Sequence, residues 1–293
     1  MSDSADADGP GRIIWLASYP KSGNTWMRVA LGHLLGVANP EGDINQQVSC
    51  DGIASSREDF DDVVGVNAAE LDFDQIDVLR PRVYECLSRE AERTVFLKVH
   101  DACLDTPASE PMFPLNATRG VVHIVRNPLD VVASLAHHSS TSLNRAIQSL
   151  CSDRNTYCAS PNVLHIQLRQ RLLDWSAHTA SWLDSPLPRL TVRYEDMLAH
   201  PFATFATVAR FCGLEHPAQA IEQAVEGSRF ERLKNLEAQT RFRETPQGNT
   251  HFFREGRAGG WREALTAEQV QQIIAAHGPM MQRLGYATGL ADE

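Results

Sequence analysis

Ile13-Ile14-Trp15-Leu16-Ala17-Ser18, followed directly by Tyr19-Pro20-Lys21-Ser22-Gly23-Asn24-Thr25-Trp26, is the stretch that decides how this chain folds. Its first six residues form a short apolar run bounded by polar ones, which predicts a buried strand. Tyr19–Gly23 is turn chemistry, and a helix is expected from about Thr25 to Gly36, with Trp26, Val29, Ala30, His33 and Leu34 near one face. A strand, a tight glycine-containing turn and a helix start gather several backbone N–H groups around one point, where the helix dipole adds positive potential. Lys21 adds a full charge, and Ser22, Asn24 and Thr25 add hydrogen-bonding groups, so the stretch suits an anion. It differs from the G-x-x-x-x-G-K-[ST] loop of nucleotide triphosphatases: Lys21 precedes Gly23, and no earlier glycine stands at the required distance.

Outward from this turn, Thr94–Val99, Gly120–Val125 and Leu190–Tyr194 read as three further strands. Helices are expected over Gln75–Ala91, where Pro81 must sit near a boundary or kink, and from Pro128 to about His138. Another is expected from about Val163 to Leu183, and one over Pro201–Cys212 with Gly213 as C-cap. The last covers Thr266–Leu284, where Thr266 and Gln269 have capping-box spacing. Residues 37–74 show weak periodicity and carry an acidic run from Glu58 to Asp74, which reads as a solvated face. Residues 139–162 are rich in Ser, Cys and Asn and read as a loop or mobile lid, and 240–260 are polar, Arg-rich and Gly-rich. Strands alternating with helices, without an internal repeat or a long linker, predict one α/β domain around a mostly parallel sheet, residues 13–288. Residues 1–12 read as a disordered tail.

Composition narrows the function. A hydrophobic fraction of 43% is enough for a core, so wholesale disorder is excluded. A net charge of −10 argues against a surface that grips nucleic acid, but not against one basic pocket for an anionic small ligand. No apolar run is long enough for a membrane span, and the N-terminal stretch lacks the regions of a signal peptide, so a cytoplasmic location is expected. Six cysteines without C-x-x-C pairs or metal spacing read as reduced thiols, and no metal is expected. Lys21, Lys98 and Lys234 are the only lysines among 27 basic residues, so each is easy to weigh.

The octapeptide Tyr19–Trp26 resembles the 5′-phosphosulfate loop of sulfotransferases that use 3′-phosphoadenosine 5′-phosphosulfate (PAPS) and release 3′-phosphoadenosine 5′-phosphate (PAP). Other motifs are similar to that family's pattern. Arg126 stands at a strand tip with Ser134 eight residues on, on the helix opened by Pro128. Arginine suits bidentate phosphate contact, and the resemblance implies that this pair binds the 3′-phosphate. Lys98 and His100 are two apart and share one side of a strand. The family's Lys-x-His implies His100 as catalytic base, and neutral imidazole suits that role near pH 7. Asp101 is a candidate to orient the ring. The run Arg254-Glu255-Gly256 followed by Gly259-Gly260-Trp261 is similar to a flexible loop that closes over the 3′-phosphate. Glu255 replaces a usual basic residue and is expected to point away from phosphate, with Arg257 compensating. Tyr194, Ser228, Phe230 and Trp26 match positions near the adenine.

The resemblance implies a P-loop nucleotide-kinase-like sulfotransferase fold. It also implies in-line transfer of a sulfuryl group from PAPS to a small-molecule acceptor, at a hydroxyl or, as the less favoured alternative, an amine. Lys21 would sit on the bridging oxygen and Lys98 on the sulfuryl oxygens, and no metal would be required. Two alternatives stay open: a kinase-like phosphotransferase, for which Asp101 is the only loosely placed magnesium ligand, and an inactive nucleotide-binding scaffold. No nucleic-acid or membrane partner is expected, and a monomer and a homodimer are both compatible with the sequence. The acceptor is not legible, although residues 37–74 and 139–162 are its expected walls.

Overall fold

The computed structural model describes residues 11–39, 41–48, 50–246 and 248–288. Residues 1–10 of the expected tail lie outside the described residues, whereas the exposed Arg12 is tied down by its backbone N–H, which donates to Ser88 Oγ at 2.9 Å. The chain runs through β1 (Ile13–Ser18), α1 (Asn24–Leu34), α2 (Ile44–Gln47), β2 (Gly52–Ile53), α3 (Arg57–Val64), α4 (Phe73–Glu90), β3 (Val95–Val99) and β4 (Thr118–Val125). It continues through α5 (Pro128–His138), α6 (Leu143–Leu150), β5 (Thr156–Tyr157), β6 (Gln170–Arg171), α7 (Trp175–Leu183), β7 (Arg189–Arg193) and α8 (Tyr194–Ala199). The last helices are α9 (Pro201–Phe211), α10 (Ala218–Gly227), α11 (Phe230–Gln239), α12 (Trp261–Ala264) and α13 (Ala267–Arg283).

Five strands form one parallel sheet in the order β2-β3-β1-β4-β7. β1 lies at its centre, and side-chain alternation sends its residues to both faces. Ile14 and Leu16 pack with Met27 and Leu31 of α1 and with Phe205 of α9, while Trp15 and Ala17 pack with Tyr84 of α4 and Trp182 of α7. Both faces are therefore dry, as a parallel sheet requires. The short β5–β6 hairpin is antiparallel and lies outside this sheet.

The four strands expected from the sequence are present, and three expectations are corrected. Pro81 lies inside α4 rather than at its boundary. Tertiary contacts outweigh the lost helical hydrogen bond: the buried Arg80 beside it makes a two-pronged pair with Asp101, at 2.8 and 3.1 Å. Residues 139–162 are not all loop, because Ser142 caps α6 and Ala146, Ile147 and Leu150 bury its apolar face. The helix expected from Val163 begins only at Trp175, where Asp174 caps α7. Upstream, Leu164, Ile166, Leu168, Gln170 and Leu172 alternate with period two, which is strand-like and not helical.

The C-terminal ends of β1, β3, β4 and β7 converge at one edge of the sheet. They deliver the turn 19–23, Lys98 with His100, Arg126 and Tyr194 respectively. That edge is where an open parallel sheet places its ligand.

Candidate active site

A cavity of about 720 Å³ opens at this edge. Of the residues singled out in the sequence, Lys21, Gly23, Asn24, Thr25, Trp26, Lys98, His100, Arg126, Ser134, Tyr194, Ser228, Phe230, Arg254, Glu255 and Gly256 all line it. Ser22 does not. Its hydroxyl is buried without a partner.

The turn is bent by Lys21 at φ 70° and Gly23 at φ 103°. At Gly23 a Cβ would stand 2.6 Å from the Tyr194 ring, so only glycine fits between the turn and that ring. The Arg126 guanidinium lies 4.2 Å from the centre of the same ring. It donates to the carbonyls of Lys21 at 3.1 Å and Arg257 at 3.0 Å, which ties the first turn to the C-terminal loop. Asn24 serves structure: its amide donates to Leu16 O and Ser18 Oγ, at 2.8 and 3.1 Å.

Lys21 and Lys98 extend into the cavity from different strand ends. Lys21 Nζ sits 3.9 Å from the centre of the Phe252 ring and 3.4 Å from His138 Nδ1. Burial, then the charges of Lys98 and Arg126, push its pKa down to about 7. Lys98 Nζ lies 3.3 Å from Glu244 Oε2. Burial lowers its pKa, although the Glu244 carboxylate opposes the shift.

His100 is held by backbone. Its Nδ1–H donates to Ser18 O at 2.8 Å, which fixes the tautomer and leaves the Nε2 lone pair available as a base. Burial, followed by Lys98, holds its pKa well below the ordinary histidine value, so the ring is neutral near pH 7. Asp101 does not orient this ring, correcting the expectation. Its carboxylate is consumed by Arg80 and by the Arg171 backbone N–H at 2.9 Å, which also removes it as a magnesium ligand. The His100 carbonyl instead accepts from His178 Nε2 at 3.1 Å.

At the other end, Trp26 Nε1 donates to Ser228 Oγ at 3.2 Å. Gly256 has φ 61°, and a Cβ there would fall 2.2 Å from the Phe230 ring, so its backbone lies directly on that ring. Glu255 does not point away from the cavity. It bridges Arg254 at 3.2 Å and Arg257 at 3.1 Å while lining the wall. Asp130 clamps this loop, accepting from the Gly259 and Trp261 backbone N–H groups at 2.8 and 3.0 Å.

Four further residues belong to the site. Arg28, Glu244, His138 and Phe252 line the same cavity. Arg28 stands one turn after Thr25 on a buried helix face, where a charged residue is itself a signal. Glu244 and Phe252 lie in an aperiodic segment that carries no such signal. His138 ends α5, and burial, followed by Lys21 and Lys98, lowers its pKa to about 4.

The chain matches a family model described as the sulfotransferase domain, over residues 12–285. It belongs to the sulfotransferase family. Among relatives, flavonol 3-sulfotransferase of Flaveria bidentis is 23% identical over 274 residues, covering 89% of this chain and 78% of the relative. Cytosolic sulfotransferase 16 of Arabidopsis thaliana is 25% identical over 273 residues, covering 88% and 72%. Among solved structures, that of retinol dehydratase in complex with androsterone and inactive cofactor PAP superposes with TM-score 0.61. It shares 19% identity and covers 92% of this chain and 81% of the other, so it attests the fold. A sulfotransferase fold with a central parallel sheet and helices on both faces is what the first strand–turn–helix predicted. Among the described residues no helix is long and apolar enough to cross a membrane, and all six cysteines are free.

Proposed function

We propose that the protein is a PAPS-dependent sulfotransferase acting in the cytoplasm on a hydroxyl of a small-molecule acceptor, with His100 as general base. The observation that carries this reading is the convergence of Lys21, Lys98 and a neutral, tautomer-fixed His100 on one cavity. PAPS supplies a sulfuryl group already activated on a phosphate.

The residues present fit such a donor. Arg126, Ser134 and Arg254 offer one cationic subsite for a phosphate, and Trp26 and Phe230 offer apolar rings for a base. The buried Arg126 Nε, on a side chain that lines the cavity, is without a protein partner, as a group reserved for an anion would be. Gly23 and Gly256 let backbone approach where a Cβ would clash.

Each side chain then has a task. Lys21 neutralises charge on the leaving phosphate oxygen, Lys98 holds the transferred group, and His100 Nε2 takes the acceptor's proton. The cavity continues past Lys98 to Cys50, Ile53, Tyr157, Ile166 and Gln167, which provide the acceptor wall. Calorimetry with PAP, joined to an acceptor screen that reads PAP release from PAPS, tests this reading. Binding of PAP and acceptor-dependent release are expected. Magnesium-dependent turnover of ATP with no response to PAPS would replace it with the kinase-like alternative.

A further inference from the structure

Glu244 has no part in the chemistry described so far, yet it is a carboxylate inside an anion-binding cavity. It hangs from the aperiodic segment before Phe252 and reaches back across the site. Arg28 Nη1 and Nη2 grip it at 2.8 and 2.9 Å, and Lys98 Nζ approaches the same carboxylate at 3.3 Å. Arg28 in turn donates to Thr25 Oγ1 at 3.1 Å, so the pair is fastened to the helix that opens the donor turn. Arg28 is 2% exposed, which makes the carboxylate position firm. Burial alone would raise the carboxyl pKa, but the charges of Lys98 and Arg28 outweigh it and hold Glu244 ionised.

We infer that Glu244 is a positioning residue that parks the Lys98 ammonium at the reacting end of the cavity and yields it when the sulfuryl group of the donor arrives. The inference rests on the proposed PAPS chemistry. An ammonium has three donors on one compact centre, so it can turn from a carboxylate to a sulfuryl oxygen without leaving its place. PAP lacks the sulfuryl group and cannot claim Lys98, so the lysine stays on Glu244. The Glu244 charge also lies near enough to an incoming sulfuryl group to repel it, and that repulsion falls more heavily on PAPS than on PAP. Removing the charge while keeping the shape therefore changes the discrimination between the two nucleotides, and not simply the affinity for both.

The test measures PAP and PAPS dissociation constants by calorimetry, without acceptor, for the wild type and Glu244→Gln between pH 6 and 9. At the acid end, the preference of the variant for PAPS over PAP should rise about tenfold, taking charges about 6 Å apart in a partly screened site. Without its carboxylate partner Lys98 should lose its proton at lower pH, so the variant should lose its PAPS preference at lower pH than the wild type. A merely structural role would weaken both ligands by one factor and leave that pH unmoved, which overturns the inference. A second measurement needs no variant. With only three lysines in the chain, ¹³Cε-lysine labelling gives three signals, assigned by Lys98→Arg and Lys234→Arg. PAPS should displace the Lys98 signal, and PAP should leave it near its ligand-free position. Equal displacement by both overturns the inference. A wild type that binds neither nucleotide overturns the PAPS reading itself, and the role of Glu244 with it.

Discussion

Lys21 should take up a proton when PAP or PAPS binds. Buried beside Lys98 and Arg126, it has a pKa of about 7 without ligand. About half of it is then neutral at pH 7 and about nine-tenths at pH 8. A bound phosphate brings negative charge to the ammonium and restores a pKa near the ordinary lysine value. Binding should therefore draw in about 0.5 proton at pH 7 and about 0.9 at pH 8, and affinity should weaken about tenfold from pH 6 to pH 8 through this group. The sign follows from the depressed ligand-free pKa: the proton is already present at low pH and must be acquired at high pH. Titration calorimetry in buffers of different ionisation enthalpy reads the proton count. The nucleotide's own phosphates release protons on binding, so the quantity of interest is the difference between wild type and Lys21→Arg, because arginine stays charged throughout. A difference near zero at pH 8 would refute the burial argument for Lys21.

Four other substitutions probe separate parts of the molecule. Lys98→Arg should lower turnover by about a hundredfold or more, because a wide guanidinium replaces a compact charge in a buried place. Lys234→Arg, 6.0 Å from the Phe230 ring centre, should change turnover less than about twofold on the same reasoning; equal losses in steady-state rates would remove the special status of Lys98. Gly256→Ala, whose Cβ would meet Phe230 at φ 61°, should weaken PAP binding by roughly tenfold while shifting the melting temperature little; unchanged affinity would show that the loop does not frame the donor. His178 is fully buried with a pKa near 4, so it folds neutral, while the unfolded chain protonates it near 6.5. Stability is complete above about pH 6.5 and falls by about 3 kcal/mol as pH drops to about 4. Urea unfolding of His178→Gln, which does not titrate, should show that much less acid sensitivity, and an identical pH slope would contradict it.

What could be read from the sequence was local. Each of β1, β3, β4 and β7 ends in the residues that do chemistry, and short apolar runs mark strands wherever they stand. The turn around Gly23 was legible because glycine, lysine and small polar residues occur together at a strand end. The residues that escaped notice are placed by tertiary packing. Glu244 and Phe252 sit in a segment without period, held where they are by Glu237, whose buried carboxylate accepts from the Phe252 and Phe253 backbone N–H groups at 2.6 and 2.9 Å. Nothing local announces that Glu237 anchors this segment. Asp101 misled for the same reason: its neighbour in sequence is His100, but its partner is Arg80, an ion pair formed across the fold. The acidic run 58–74 proved to be the helix α3 and its surroundings, with Phe60 buried beneath it. The alternation from Leu164 to Leu172 could have been recognised as strand-like, with Asp174 as the start of the helix.

The proposed function turns on one step, sulfuryl transfer from PAPS in this cavity with His100 as base. The most direct measurement incubates wild type and His100→Ala with ³⁵S-labelled PAPS and a panel of phenols and alcohols, with PAP binding recorded for both proteins. Label should move to at least one acceptor with the wild type and fall by a factor of about 10² or more in the variant, while both proteins bind PAP equally. Equal transfer by the two proteins, or failure of the wild type to bind PAP, would contradict the account.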